Sequence, residues 1–269
     1  MVFGVLGMIN FAHSEVFMMA AYAGLFAISA LVGVTSPVAA AVLGTAAAMA
    51  LAAGLGMLIE RVAYRPLRAR ASRGRVTKLG RVAPLVTAIG VSMLLQNVAQ
   101  AAFTARYRPY PHLLSDPRPI LVVVAVVAML GLEGIVRFTW FGKAMRALSA
   151  HEEAARLMGI RTSRVIAQTF ALGSSLAALG AVLYCLDQSQ VYPTMGVVIG
   201  TRAFVAAVLG GIGSVPGAML GGLLLGVLGE LVKLTDYSGG VDVLVFLVLI
   251  GVLLIRPAGL LGSVKVEKV

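Results

Sequence analysis

An all-α, polytopic membrane fold is predicted by three observations: long apolar runs, a shortage of charge, and basic residues gathered into a few connecting stretches. The 269 residues are 59% hydrophobic and only 12% charged, where soluble domains carry about 25% charged residues. Runs near twenty residues match what a helix needs to cross a hydrocarbon core. A net charge of +11 would suggest nucleic acid in a soluble chain. Here no nucleic-acid partner is expected, because basic residues collect in the cytoplasmic loops of membrane proteins. The single Cys185 rules out a disulfide framework. No basic region precedes the first apolar stretch, so no cleavable signal peptide is expected.

Eight apolar segments are read at about 16–34, 37–59, 82–104, 119–138, 165–185, 197–212, 216–234 and 241–255, within one transmembrane domain spanning 1–269. The sixth and eighth are short. Sixteen helical residues cover only ~24 Å of a core about 30 Å thick. Gly210, Gly211, Gly213 and Pro216 follow the sixth, and two readings stay open there. One is a broken or re-entrant segment shielded from lipid by protein. The other is a pair of ordinary helices joined by a tight turn at Gly213-Ser214.

Lys and Arg set the orientation. The 60–81 stretch carries eight of them, 137–164 carries six and the tail from Arg256 three, against none in 186–196. Alternating spans then put loops 60–81 and 139–164 and the tail on the cytoplasmic face. The outer loops are too short to hold a ligand-binding domain. Glycine contributes 31 residues, and Gly217, Gly221, Leu225 and Gly229 share one helical face suited to close packing in lipid.

The most distinctive stretch is the polar, basic island Gly142 to Val165. Ser149 and Glu152 have capping-box spacing, and Ala150, Ala154, Leu157 and Met158 form a narrow apolar stripe at helical spacing. Gly159 stands where a left-handed C-cap residue belongs, and Glu152 and Glu153 complement the helix dipole, with Arg156 at the other end. A surface helix of roughly two to three turns is expected, too short to cross a bilayer.

Ionisable groups within apolar segments are functional candidates by default. His13 and Glu15 stand at the mouth of the first segment beside Asn10, Glu133 in the fourth, Arg202 in the sixth, and Glu230 with Lys233 in the seventh. Glu133 with Arg137, and Glu230 with Lys233, also have the spacing of local helix pairs. Arg202, after Gly200 and Thr201, also reads as a helix end. Asn10, His13, Glu15 and Arg202 are the candidates for a translocation path or gate, helix capping at the surface being the alternative for the first three.

No chemistry of its own is visible. The chain has no Gly-rich phosphate loop, and its three histidines and one cysteine form no metal constellation. No nucleophile elbow or catalytic pairing stands out. A conduit driven by a gradient or by a partner is the class that remains.

Several stretches resemble one family. Glu153-Ala154-Ala155, with Gly159 four residues on, is similar to the EAA signature of ABC importer permeases. Phe170-Ala171-Leu172-Gly173 keeps the leucine of the Ile-x-Leu-Pro that often follows, without its proline. Gly4 to Glu15 (GVLGMINFAHSE) resembles the GxxxMxNFAHGE segment of branched-chain amino acid permeases, with Ser14 for the usual glycine. Ala203 to Ser214, with Pro216-Gly217-Ala218, is similar to their AFTAAVLGGIGSxPGA segment, with Arg202 where lysine is frequent. Pro84 to Gly90 and Gln96-Asn97 also fit.

The resemblance implies the permease of a bacterial inner-membrane ABC importer for branched-chain amino acids. It implies two ATPase subunits that bind the ATP, a second homologous permease, and a periplasmic or lipid-anchored binding protein. The island becomes the coupling helix that docks on an ATPase, with Ser149, Glu152, Glu153, Ala154, Ala155, Leu157 and Gly159 as its residues. Family members carry another apolar segment ahead of the NFAHGE-like stretch, and this chain starts at that stretch. A truncation or misassigned start is one expectation, a non-functional fragment another. Urea, short amides or other amino acids are alternative substrates, and a gradient-driven transporter or channel is the alternative class.

Overall fold

The computed structural model describes residues 12–71, 78–113, 117–211, 213–234, 238–256 and 258–262. The first described helix, α1 (Ala12–Leu31), already contains His13 and Glu15 ahead of the expected apolar run. Ser36 then caps α2 (Pro37–Ile59), its Oγ accepting from Ala39 N at 3.3 Å, and Pro37 sits where a missing N–H costs nothing. Small residues at every fourth position of α2 face inward: Ala40, Gly44, Ala48, Ala52 and Gly56. Gly44 lies against Ile28 of α1, where a Cβ would collide with it.

Beyond Ile59 the helix continues through a π-helical turn, Glu60–Tyr64, into α3 (Arg65–Ala71). The next helix, α4 (Lys78–Phe103), starts inside the basic stretch read as a loop. Arginine, alanine and leucine are good helix formers, so the described part of this connection is helical rather than irregular. Next come β1 (Arg108–Pro109), α5 (Arg118–Phe138), α6 (Trp140–Ala150), α7 (Glu152–Leu157) and α8 (Thr162–Gln188). The order ends with β2 (Gln190–Val191), α9 (Met195–Gly210), α10 (Val215–Lys233) and α11 (Val241–Ile255). Among the described residues, six helices are long and apolar enough to span a membrane, and α9 and α11 are two shorter apolar ones. All eight expected segments are therefore helical.

The described residues up to Val197 pack as one unit and those from Val198 onward as another. In the first, α1, α2 and α8 form the core. Ser175 Oγ of α8 donates to Met49 O of α2 at 3.3 Å, and Gly56 lets α2 approach Phe170 and Ser174. Tyr22 stacks on Phe103 with ring centroids 4.4 Å apart, tying α1 to α4. The short β1–β2 pair, Arg108 opposite Val191 and Pro109 opposite Gln190, closes one end.

From that end the chain steps inward. Tyr110, next to β1, crowds Gly24, whereas Gly196, five residues past Val191, rests against Ser14 and Glu15. Those two contacts are nine residues apart on α1, or ~13 Å at 1.5 Å per residue. The first turn of α9 is therefore inside the bundle rather than at its rim.

In the second unit, α9 and α10 meet through glycine. A Cβ on Gly217 would strike Gly210 O, and one on Gly221 would strike Ala206 O. Gly217, Gly221, Leu225 and Gly229 are the buried face of α10, as their spacing predicts. Gly211 (φ +106°) and Gly213 (φ +94°) turn the chain, and Ser214 Oγ caps α10 at Gly217 N, 3.1 Å. Leu260 and Leu261 N–H donate to Leu209 O and Gly210 O at 2.8 and 2.9 Å, closing the C-terminal end of α9. The tight-turn reading thus holds between α9 and α10, and the inward step lies ahead of α9.

Candidate functional site

The surface island is built on the end of α5. Thr139 Oγ1 donates to Ile135 O at 2.6 Å and accepts from Gly142 N at 3.0 Å, ending one helix and capping α6. Gly142 is required there, because a Cβ would run into the carbonyls of Ile135 and Val136. The Arg146 guanidinium reaches back to Val136 O, and to Arg137 O at 3.5 Å, satisfying carbonyls that α5 leaves open. α6 turns Ala144, Met145 and Leu148 inward.

The next helix corrects the capping-box reading. Ser149 lies inside α6 and its Oγ donates to Arg146 O at 3.3 Å. The break comes at His151, whose extended backbone ends α6 and whose Nδ1 accepts from Ala154 N at 3.3 Å, capping α7. Histidine offers the same acceptor as a serine hydroxyl here, so the helix starts two residues later. At six residues α7 is also shorter than the two to three turns expected. Its other end is a Schellman motif: Ile160 N donates to Ala155 O and Gly159 N to Arg156 O, both at 3.1 Å, with Gly159 at φ +82°. Ala155 is 4% exposed and anchors the helix, whereas Leu157 and Met158 are 88% and 83% exposed. Ala150, Ala154, Leu157 and Met158, the predicted stripe, all face outward together with Glu152 and Glu153.

The intramembrane candidates separate. Asn10 lies outside the described residues. Glu15 is fully buried; Ser92 Oγ donates to its Oε1 at 3.4 Å, and its Oε2 has no hydrogen-bond partner among the described residues. Gly196 is in contact with that carboxylate and has no room for a side chain. His13, on α1, is half-buried. Arg202 is inside α9, not at a helix end, and its Nε and Nη2 donate to Asp242 Oδ1 at 3.0 and 2.7 Å. Glu133 pairs with Arg137 at 2.5 Å and Glu230 with Lys233 at 2.6 Å, the local reading of both. Among the described residues no cluster of His, Cys, Asp and Glu can hold a metal.

Residues 1–256 match the family model described as the branched-chain amino acid transport system permease component. The chain belongs to that family. It is 39% identical to the high-affinity branched-chain amino acid transport system permease protein LivH of Salmonella typhimurium, over all of this chain and 90% of that protein. Against LivH of Escherichia coli the identity is 38% over the same shares. Against the corresponding permease BraD of Pseudomonas aeruginosa it is 40%, over all of this chain and 91% of that protein. No solved structure matches.

Two polar pairs of this permease escaped the sequence reading. Asp242 looks like an ordinary first-turn acid of α11, and only the fold brings it to Arg202, forty residues earlier. Glu60 and Arg68 were absorbed into a basic loop, although Glu60 is 3% exposed and paired with the Arg68 guanidinium. A lone acid at the end of an apolar run, followed by arginines, is the signal that could have found them.

Proposed function

We propose that this permease carries leucine, isoleucine and valine across the bacterial inner membrane as the spanning subunit of an ABC importer. Two ATPase subunits bind and hydrolyse the ATP, a second homologous permease completes the path, and a periplasmic or lipid-anchored binding protein delivers the substrate. The observation that carries this reading is α7. It is a fully capped helix on a loop of cytoplasmic charge, with Leu157 and Met158 standing free beside Glu152 and Glu153. An apolar knob with charges at its rim is what a helix presents to a groove on a partner. Motion of the ATPase pair would move α7, and α8 follows it after only a few residues.

The test is co-purification. Glu153→Lys and Leu157→Asp are expected to remove the ATPases from the detergent-solubilised complex while the permease reaches the membrane at wild-type level. Leucine uptake by vesicles holding the two permeases and no ATPase would overturn the reading. Uptake of urea or a short amide in place of leucine, with the ATPases present, would move the substrate and leave the class intact.

The same reading puts Asn10, His13, Glu15 and Arg202 along the path or gate. Supporting it, Arg202 and Asp242 are 38% and 58% exposed on helices that are otherwise apolar, and lipid is a poor neighbour for that charge pair. Alanine at each of the four positions is expected to lower uptake. Intact uptake in all four variants would remove them from the path.

A further inference from the structure

The carboxylate of Glu15 is held on one side and unmet on the other. Ser92 Oγ of α4 donates to Oε1 at 3.4 Å, whereas Oε2 is buried without a hydrogen-bond partner among the described residues. The whole residue is fully buried on α1. The ion pairs among the described residues all use other acids. His13, two positions earlier, lies on a different face of the same helix. A single acid in an apolar bundle, with neither a counter-ion nor a full set of donors, is costly to keep and marks a functional group.

Three elements converge on it. α1 carries the acid and α4 supplies the Ser92 hydroxyl. The first turn of α9 lies against it at Gly196, where a Cβ would collide with Ser14 O and Glu15 Oε2. That turn is reached by stepping inward from the β1–β2 end, so the carboxylate is inside the bundle, ~13 Å along α1 from the level of Tyr110.

An unmet carboxylate oxygen in such a place is complemented by a cation carrying N–H donors. A hard divalent metal wants several oxygen ligands, and no cluster of His, Cys, Asp and Glu is present among the described residues. Leucine, isoleucine and valine differ in their side chains and share one cationic group, the α-ammonium. An acid that accepts from that group serves all three alike, through a charge-assisted hydrogen bond.

We infer that Glu15 is the acceptor for the α-ammonium of the amino acid in transit, with Oε2 receiving its N–H and Ser92 holding Oε1 in place. This deepens the reading of Glu15 as part of the path and rests on it. The Gly196 backbone is against Oε2 in this arrangement, so the ammonium enters as the first turn of α9 withdraws from α1.

Two measurements test the assignment. The first uses the complete transporter in proteoliposomes: this chain, the second permease, both ATPases and the binding protein. Glu15→Gln keeps the shape and an acceptor for Ser92, and is expected to retain the ATPases while leucine uptake falls about tenfold or more. Glu15→Asp is expected to recover part of the uptake. The second measurement is the midpoint of thermal aggregation of the detergent-solubilised permease–ATPase complex. Its probes are leucine, leucinamide (ammonium without carboxylate) and isocaproate (carboxylate without ammonium). Leucine and leucinamide are expected to raise the wild-type midpoint and not that of Glu15→Gln, and isocaproate to raise neither. Wild-type uptake in Glu15→Gln overturns the inference, as does a midpoint unmoved by leucinamide or raised equally by isocaproate. If Glu15→Gln does not accumulate, the three probes on the wild-type complex decide alone. No leucine uptake by the wild-type transporter overturns the proposed substrate and this inference with it, and that control tells the two failures apart.

Discussion

At the scale of single residues, the positions that matter most are those with no room. Gly142 has the carbonyls of Ile135 and Val136 where a side chain would begin, and those carbonyls are also held by Arg146. Gly142→Leu is expected to destabilise the permease by about 1–3 kcal/mol through overpacking, read as a lower midpoint of thermal aggregation in detergent. Gly90→Ala, where nothing lies near the missing Cβ, is the control and is expected to be neutral or slightly stabilising. Gly196 faces Glu15 in the same way, so Gly196→Ala is expected to cut leucine uptake by displacing that carboxylate. The small face of α10 was legible from spacing alone, because in lipid small side chains have few other uses. The contacts of Gly142 and Gly196 were not, since each depends on a neighbour from a different part of the backbone.

Among elements, α7 shows how far local pattern reaches. Its existence, its exposed apolar stripe, its glycine stop and its charge order were all readable between Ser149 and Gly159. Its beginning was misread because a capping box and a histidine cap satisfy the same backbone donors, and sequence cannot say which acceptor wins. His151→Ala is expected to destabilise α7 by about 1 kcal/mol and to weaken ATPase retention, whereas Ser149→Ala is expected to leave retention unchanged. The π-helical turn had no readable mark at all. One extra residue in a helix leaves composition untouched, and only the resulting alignment of Glu60 with Arg68 reveals it.

For the molecule as a whole, eight apolar segments, their number and their order followed from hydropathy, because a membrane leaves helices as the only open-chain solution. What hydropathy could not supply was depth. The inward step before α9 and the pairing of Arg202 with Asp242 join segments remote in sequence. If that pair lines a watery path, Asp242→Cys is expected to react with a membrane-impermeant thiol reagent in intact vesicles. The native Cys185 is buried and should stay silent. Absence of labelling under conditions that support leucine uptake would place the pair against protein or lipid.

The backbone bonds from Leu260 and Leu261 to the last carbonyls of α9 bear on the order in which the protein is made. Synthesis runs from the N-terminal side onward, so the residues that finish α9 emerge about fifty positions after the carbonyls they satisfy. Until then Leu209 O and Gly210 O await partners in apolar surroundings, at about 1–3 kcal/mol for each unmet group. Maturation of this glycine hairpin therefore waits until the segment after α11 has been made. A stop codon after Ile255 is expected to yield a chain that inserts but is degraded faster, as a pulse-chase measurement would register.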